Sequence, residues 1–392
     1  MSFFEVYVRF ALRALLSALV VVLFLLLAPP IVGAPTIAFE LRLAVAATLK
    51  RNMARWPPVI YPSPAYGAPY LRDSFWTAQA LGSKRFSVQV LATFAAAARP
   101  DGDPPTYFLN AYHGAQYHED ESAALLLIWA WRNHVLYGTN LPRPLEQRVL
   151  RYLVHHTRQG FLITPVGRYG SWWDAYRLPA PATLAYDQGL YAVAMRCAKL
   201  LGLTLPRHAI ARAEAAYRAL YNPRLGYLTV STRLQASDAS ALTGEFLSLW
   251  LLKRPILSDH IVLSTLHHLT RCGAGFRVVA LPHVDRYHGA GFPPSSSLGV
   301  PGDYQNGASW LLFDALSLGA AGLHGLPNAR ALLQARLAVE FRTRPVLHEY
   351  IRTNPRLPYY LAEPPYRDVF SWDIFVLVID RALREHMRAP AV

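Results

Sequence analysis

The feature that most constrains this chain is a recurring pair of apolar helical segments, each preceded by a loop rich in acids and aromatics. One such unit reads YHEDESAALLLIWAWRNHVLYG followed by LPRPLEQRVLRYLVHHTRQG. Alternation typical of β-strands is scarce, which favours an all-α fold. Helical hairpins that recur every few tens of residues predict a solenoid or a closed ring. Because the polar residues gather at one end of each hairpin, we favour a closed ring around one central site.

The N-terminal segment has the composition of a membrane anchor. The run from Ala14 to Phe39 contains no charged residue, and a bilayer crossing needs about 20 apolar residues. Arg9 and Arg13 precede the run, which predicts that the short N-terminal side is cytoplasmic and the body extracytoplasmic. An uncleaved anchor is favoured over a cleaved signal peptide, since a proline directly follows the cleavage-like site. We therefore predict an anchor or signal segment at 1–39 and one domain at 40–392.

Composition excludes several classes of function. The 392 residues carry a net charge of +14, yet no nucleic-acid-binding motif occurs, so we expect no nucleic acid as partner. We interpret much of the charge as a solvated basic surface, to which a nearby anionic membrane would add a reason. Cys197 and Cys272 are too few for a disulfide scaffold or a cysteine zinc site. Two buried thiols are the favoured interpretation, and a single disulfide is the alternative. We expect no metal and no cofactor, because several histidines occur at spacings that indicate no metal site: His118, His283, His288 and His348.

Four short motifs occur in order along the chain. They are RDSFW (72–76), SWWDA (171–175), YQNGASW (304–310), and HEYIRTNP (348–355) with FSWDIFV (370–376). Together they resemble the motifs of the six-hairpin (α/α)6 glycosidases, in particular glycoside hydrolase family 63, the trehalases and the glucosidase part of glycogen debranching enzymes. The resemblance covers roughly residues 60 to 385 and implies an (α/α)6 toroid. The residues that follow Glu349 differ from those of the family's motif.

The SWWDA motif supplies the candidate general acid. Glycoside hydrolysis requires two carboxyl groups across the scissile bond, one of which must be protonated. Burial beside aromatic rings raises the pKa of a carboxyl group. Trp172 and Trp173 are therefore predicted to keep Asp174 protonated and to offer a flat face to a sugar ring. The alternative is that both tryptophans belong to the core and Asp174 caps the next helix.

The resemblance implies that Glu349 is the general base. In an inverting mechanism this carboxylate deprotonates a water on the far face of the sugar, about 6.5–9.5 Å from the acid. Tyr350 would hold the base or the water. The alternative is a surface glutamate on a loop, with Glu363 as the nearest rival for the role.

The other candidate residues are predicted to bind substrate. Arg72 and Asp73 would bind hydroxyl groups with Trp76 stacking on the sugar, and a structural salt bridge at a helix start is the alternative. Asp120 and its neighbour Glu121 precede an apolar helix, where capping is the simpler explanation. The remaining candidates for the pocket lining are Asp187, Gln188, Gln305, Asn306, Trp310 and Trp372.

The predicted activity is that of an inverting, exo-acting glycoside hydrolase of the α-glucoside type, anchored to a membrane and working outside the cytoplasm. Its partners would be a carbohydrate substrate and the membrane, and the sequence leaves the oligomeric state open. Two alternatives remain. One is a glycoside phosphorylase, which would use phosphate in place of the base. The other is a membrane-tethered, non-catalytic glycan-binding or assembly protein on the same fold.

Overall fold

The computed structural model describes residues 34–54, 59–62, 66–110, 113–165, 169–177, 180–271, 308–341, 347–348, 351 and 370–388. Within them the chain is mainly helical. The helices are α1 (Ala34–Asn52), α2 (Leu71–Leu81), α3 (Lys84–Ala96), α4 (Glu121–Tyr137), α5 (Arg143–His155), α6 (Ala185–Leu200), α7 (Ala209–Arg218), α8 (Thr243–Leu252), α9 (Asp259–Arg271), α10 (Leu311–Leu323), α11 (Ala329–Glu340) and α12 (Val376–Arg388). Short 3-10 turns at Ala239–Leu242 and Trp372–Phe375 lead into α8 and α12.

The even-numbered helices form a closed inner ring. Each of α2, α4, α6, α8, α10 and α12 contacts the next one, and α12 returns to contact α2. The odd-numbered helices lie outside this ring. Of these, α3, α5, α7 and α11 pack against the inner helix that precedes each in the chain, whereas α9 packs against α10, which follows it. The predicted all-α fold and the closed arrangement of helical hairpins are therefore both confirmed.

The outer layer is completed by the first described helix. Helix α1 packs against the outer helix α11, and α11 packs against the inner helix α12. Because α1 begins at Ala34, it runs across the predicted boundary between 1–39 and 40–392. Residues 1–33 lie outside the described part of the chain. Among the residues that are described, no helix has the length and apolar character needed to cross a membrane.

Burial explains why the inner and outer helices differ in composition. In α4 every residue from Glu121 to Trp131 is buried, and α10 is buried in the same way from Leu311 to Gly322. A helix that is apolar on all sides is stable only when other elements surround it. The outer α5 buries a single stripe that includes Leu145, Val149 and Leu153. Cys197 is a buried thiol on the inner helix α6, while Cys272 lies outside the described residues.

Short antiparallel strand pairs interrupt the connections between helices. They are β1 (Met53–Ala54) with β2 (Val59–Ile60), β3 (Tyr107–Asn110) with β4 (His113–Gln116), β5 (Thr157–Arg158) with β6 (Phe161–Leu162), β7 (Tyr169–Gly170) with β8 (Trp173–Arg177), and β9 (Tyr221–Asn222) with β10 (Tyr227–Leu228). The pairs β3–β4 and β7–β8 occur in the connections that lead into α4 and α6. They therefore shape the end of the ring at which the inner helices begin.

Two inner helices approach each other closely, backbone to backbone, where α6 crosses α8. A Cβ atom added at Gly244 would lie 2.3 Å from the Cα atom of Gly189 on the facing helix. We expect Gly244→Ala to lower the free energy of unfolding by about 1–3 kcal/mol, since two backbones would have to separate. Gly67→Ala is the control, because its Cβ would meet nothing within 4 Å. Urea unfolding of both variants tests this contact, and equal stabilities would show that the helices do not approach this closely.

Candidate functional site

The candidate site lies where the inner helices begin. Arg72 is the second residue of α2, and Glu121 is the first residue of α4. Asp187 lies in the first turn of α6, and Trp310 immediately precedes α10. Contacts between the starts of these helices, described below, show that the residues lie together at one end of the ring. Helix N-termini also favour negative charge, which suits the acids gathered there.

Thr106, which directly precedes the β3–β4 hairpin, connects the starts of the first two inner helices. The carbonyl of Thr106 accepts a hydrogen bond of 2.8 Å from the N–H of Leu71, where α2 begins. The hydroxyl of the same threonine accepts a hydrogen bond of 3.0 Å from the N–H of Glu119. One residue therefore holds the start of α2 beside the segment that leads into α4. This arrangement sets Arg72 opposite Glu119.

Arg72 is the cation at the centre of the site. Its Nη1 atom lies 3.3 Å from Glu119 Oε2 and 2.5 Å from Glu121 Oε1, and all three side chains are buried. Its guanidinium group also stands over the ring of Trp372, 5.2 Å from the centroid. Burial alone would lower the pKa of Arg72, but Glu121 and Glu119 outweigh that effect and raise the pKa well above its ordinary value. The site therefore holds a permanent positive charge between carboxylates.

Asp187 differs from Arg72 because its surroundings favour the neutral form of the side chain. It is buried, and burial raises its pKa well above the ordinary value. The carboxylates of Glu121 and Asp120 raise it further, while Arg72 and the Ser171 hydroxyl oppose the shift. A protonated Asp187 can donate a hydrogen bond to a ligand oxygen, which an ionised carboxylate cannot do.

A cluster of aromatic rings forms the neighbouring wall. The Trp172 ring lies 4.3 Å from that of Phe313 and 5.2 Å from that of Trp310. Trp372 contacts the same two partners, with ring centroids 5.9 Å from Trp310 and 5.5 Å from Phe313. Tyr186, at the start of α6, meets Phe313 edge to face. The rings thus connect the starts of α6, α10 and α12, and we call these five residues the aromatic wall.

The sequence GSWWDA forms a tight β-hairpin, where a loop was predicted. Gly170 pairs with Trp173, so Ser171 and Trp172 are the two turn residues. Ser171 has a φ of 57°, in the left-handed region that non-glycine residues rarely adopt. Such strain costs of order 1–3 kcal/mol and is commonly found at functional sites. The turn directs Trp172 into the aromatic wall, where its side chain is buried.

Of the two predicted catalytic residues, the structure describes the backbone of Asp174 and the neighbours of Glu349. Asp174 is the second residue of β8, two residues after Trp172 in the turn, but its side chain and that of Trp173 lie outside the described part of the structure. Glu349 lies between His348 and Ile351, which are described. The candidates Gln305, Asn306, Glu349 and Tyr350 are themselves outside the described residues. The roles assigned to all of them remain predictions.

Other predicted binding residues have structural partners in addition to any ligand. Trp76 is fully buried and packs against Phe75 and Phe375, so its ring lies in the core. The Gln188 amide accepts from the N–H of Leu162 at 2.8 Å and donates to two backbone carbonyls. It thereby holds α6 against the neighbouring connections. For these two residues a contact with sugar stays a prediction, and the structure supplies a packing role.

The simpler explanations for the first two hairpins fit the geometry in part: Arg72 does form buried salt bridges at the start of α2, whereas Asp120 does not cap α4. Asp120 stands at the N-cap position of α4, yet its side chain caps no N–H group and instead accepts a hydrogen bond from the hydroxyl of Tyr152 at 3.2 Å. Asp73 is buried in the first turn of α2. The ion pairs of its neighbour Arg72 are made with Glu119 and Glu121, which lie on the second hairpin.

Several residues of the site were missed by the sequence reasoning. Glu119, Tyr186 and Phe313 were not singled out, and Glu121 was considered only as a helix cap. The available signal was the run of three consecutive acids, Glu119 to Glu121, before a helix that has no other charge until Arg132. Three acids are more than capping explains, and beside so apolar a helix they are consistent with a buried cation as partner.

Buried polar atoms without a partner point to a polar ligand. Arg72 Nε, Trp372 Nε1, Ser74 Oγ and Ser371 Oγ are all buried and make no hydrogen bond within the described part of the chain. An unsatisfied buried donor costs about 1–3 kcal/mol, so proteins rarely leave several in one place. Arg72 and Trp372 belong to the candidate site, since the Arg72 guanidinium group stands over the Trp372 ring. A ligand rich in hydroxyl groups would satisfy Arg72 Nε and Trp372 Nε1.

The fold defined by this ring is that of the six-hairpin glycosidases. A glycosidase variant in complex with glucose superposes with a TM-score of 0.62 at 14% sequence identity, covering 90% of this chain and 99% of the other. The GH63 mannosylglycerate hydrolase from Thermus thermophilus in complex with glucose gives a TM-score of 0.62 at 16% identity, covering 87% and 99%. No known family profile and no curated protein sequence matches the chain.

Proposed function

We propose that the protein is a glycoside hydrolase whose substrate binds at the N-terminal ends of the inner helices. The observation that carries the proposal is the buried group formed by Arg72, its two glutamates and Asp187 beside the aromatic wall. Sugars present C–H faces to aromatic rings and hydroxyl groups to charged or polar side chains. A site that combines the two at the centre of a glycosidase fold suits a carbohydrate.

The proposed chemistry is inversion with Asp174 as general acid and Glu349 as general base. The acid donates a proton to the glycosidic oxygen, while the base removes a proton from the attacking water. The backbone position of Asp174 on β8, two residues after Trp172 of the aromatic wall, supports the first assignment. Asp187 is given a binding role, as a donor to a sugar hydroxyl.

Exo action and an α-glucoside substrate are further parts of the proposal. A closed ring with its charged groups at one end admits the end of a glycan chain more readily than an internal stretch. Two of the similar structures contain glucose, and one of those proteins is a mannosylglycerate hydrolase. We therefore favour α-linked hexosides with either a sugar or a small carboxylated alcohol as leaving group.

Location at a membrane is a separate proposal, since it depends on the run from Ala14 to Phe39. The full-length protein should remain with the membrane fraction after carbonate extraction. Recovery in the soluble fraction with an N-terminus near Pro35 would indicate a cleaved signal instead.

The activity is tested with a panel of α-glucosides and α-mannosides, including disaccharides, mannosylglycerate and aryl glycosides. We expect release of a single hexose from the non-reducing end by the wild type. The Asp174→Asn variant, prepared in parallel, controls for contaminating glycosidases. Turnover that requires inorganic phosphate would identify a phosphorylase. Glycan binding without turnover across the panel would favour the non-catalytic alternative and contradict the proposal.

A further inference from the structure

A second buried charged group lies beside the site but contributes nothing to the Arg72 pairs. Arg336 Nη1 donates to Glu340 Oε2 at 2.7 Å, and Arg336 Nε donates to Asp314 Oδ2 at 2.8 Å. All three side chains are fully buried. Burying such charges costs several kcal/mol per ion, and a well-packed apolar set is often as stable. Stability alone therefore gives no reason for this arrangement.

One end of the group is attached to the backbone at His348. Glu340 Oε1 accepts a hydrogen bond of 2.8 Å from the N–H of His348, and the Nδ1 atom of the same histidine lies 2.9 Å from that oxygen. Through Glu340, the charge of Arg336 thus holds both the main chain and the ring of His348. The next residue in the sequence is Glu349.

The other end is attached to the backbone at Ile351. Arg336 Nε also donates to the hydroxyl of Ser309 at 3.2 Å, and this hydroxyl contacts Asp314. The main chain of Ser309 makes two hydrogen bonds with Ile351, of 2.8 Å and 2.7 Å. These contacts are continuous. They are attached to the backbone at His348 through Glu340 and at Ile351 through Ser309. We call Ser309, Asp314, Arg336, Glu340 and His348 the Arg336 circuit.

We infer that the Arg336 circuit positions Glu349 for catalysis, an inference that rests on the proposed function. Only Glu349 and Tyr350 lie between the two attachment points, so the circuit restrains the chain immediately before and after the proposed base. Its members act through the backbone and need not touch the substrate. They are positioning residues.

The location of Glu340 supports this role. It is the last residue of α11, where the helix dipole disfavours a negative charge. Burial would also raise the pKa of Glu340, but Arg336 and His348 overcome this and lower the pKa to about 2. The carboxylate is therefore ionised throughout the working range of pH, and it is held at a location that helix formation alone would not select.

The test compares Glu340→Leu, which removes both acceptor oxygens, with Glu340→Gln, which keeps one. A misplacement of about 1 Å can cost on the order of 10²-fold in rate. We expect Glu340→Leu to lower kcat for α-D-glucosyl fluoride by about that factor while KM changes less than about threefold. Glu340→Gln should restore most of the rate, because it can still accept from the N–H of His348.

The matched control is Glu214→Leu. Glu214 accepts from Arg196 Nε at 2.7 Å in another buried pair, between α6 and α7, and it is outside the proposed catalytic machinery. This variant should lose stability but keep kcat. Thermal unfolding is measured for every variant. If Glu340→Leu does not fold, His348→Leu supplies the second test: it removes the ring contact with Glu340 but keeps the main-chain hydrogen bond, so kcat should fall by a smaller factor while KM stays nearly unchanged.

The outcomes separate this inference from the proposed function. A fall in kcat for Glu340→Leu beyond that of Glu214→Leu, with KM nearly unchanged and recovery in Glu340→Gln, supports a positioning role. Equal kcat values for the folded circuit variants, the control and the wild type would overturn the inference and leave the proposed function standing. A wild type that turns over neither α-D-glucosyl fluoride nor any glycoside of the panel would overturn both.

Discussion

Glu349→Gln should abolish hydrolysis of every glycoside that the protein accepts, including substrates with an activated leaving group. Each of these substrates still requires a water molecule that has lost a proton, and glutamine cannot accept that proton. General acid–base catalysis typically contributes about 10²–10⁴-fold, and we expect a loss at the upper end of this range. Initial rates with α-D-glucosyl fluoride measure it directly, and binding of an iminosugar should remain nearly unchanged.

Glu363→Gln is the matched control for this experiment, because Glu363 is the nearest rival in the same part of the chain. It should retain the activity of the wild type. If Glu363→Gln is inactive and Glu349→Gln is active, the base has been assigned to the wrong residue. Phosphate-dependent turnover that survives Glu349→Gln would instead indicate a phosphorylase.

Asp174→Asn should have an effect that depends on the leaving group. Asparagine preserves the shape of the side chain but has no proton to transfer, so substrates with poor leaving groups should lose about 10²–10⁴-fold in kcat. Glucosyl fluoride needs little protonation and should lose far less. The ratio of the two losses is the measurement. Equal losses on a disaccharide and on the fluoride would show that Asp174 has a role other than general acid.

The sequence predicted the helical ring well because its signals are local. The inner helix α4 is mostly one apolar run, whereas the outer α5 carries its apolar residues on one face. These two patterns distinguish a helix that is surrounded by others from one that is exposed on one side. The contribution of α1 to the outer layer could not be predicted in this way. Its packing against α11 joins segments that are nearly 300 residues apart in the chain.

The candidate site was predicted in outline, and its electrostatics were not. Arg72 and Asp187 were identified, but the partners of Arg72 lie 47 and 49 residues further along the chain. A single sequence gives no information about which acid faces which base across a ring. Trp76 shows the opposite limitation, since an aromatic residue beside a charged pair predicts a binding face equally well whether its ring lies at the surface or in the core.

The turn at Ser171 illustrates a further limit. The letters GSWWDA predict a loop, because glycine and serine are common in loops and two tryptophans fit no regular pattern. The structure forms a two-residue hairpin turn with Ser171 at a φ of 57°. Such a conformation is unfavourable for serine in isolation and is maintained by the packing of Trp172 in the aromatic wall, a long-range contact that local propensity does not encode.

The anomeric configuration of the first product tests most directly the proposal that Asp174 and Glu349 together hydrolyse a glycosidic bond with inversion. Proton NMR recorded at the start of the reaction, before mutarotation equilibrates the anomers, identifies this product. Water that attacks opposite the leaving group should release β-glucose from an α-glucoside. Release of α-glucose would mean retention through a covalent intermediate, and it would contradict the assignment of Glu349 as a base that activates water.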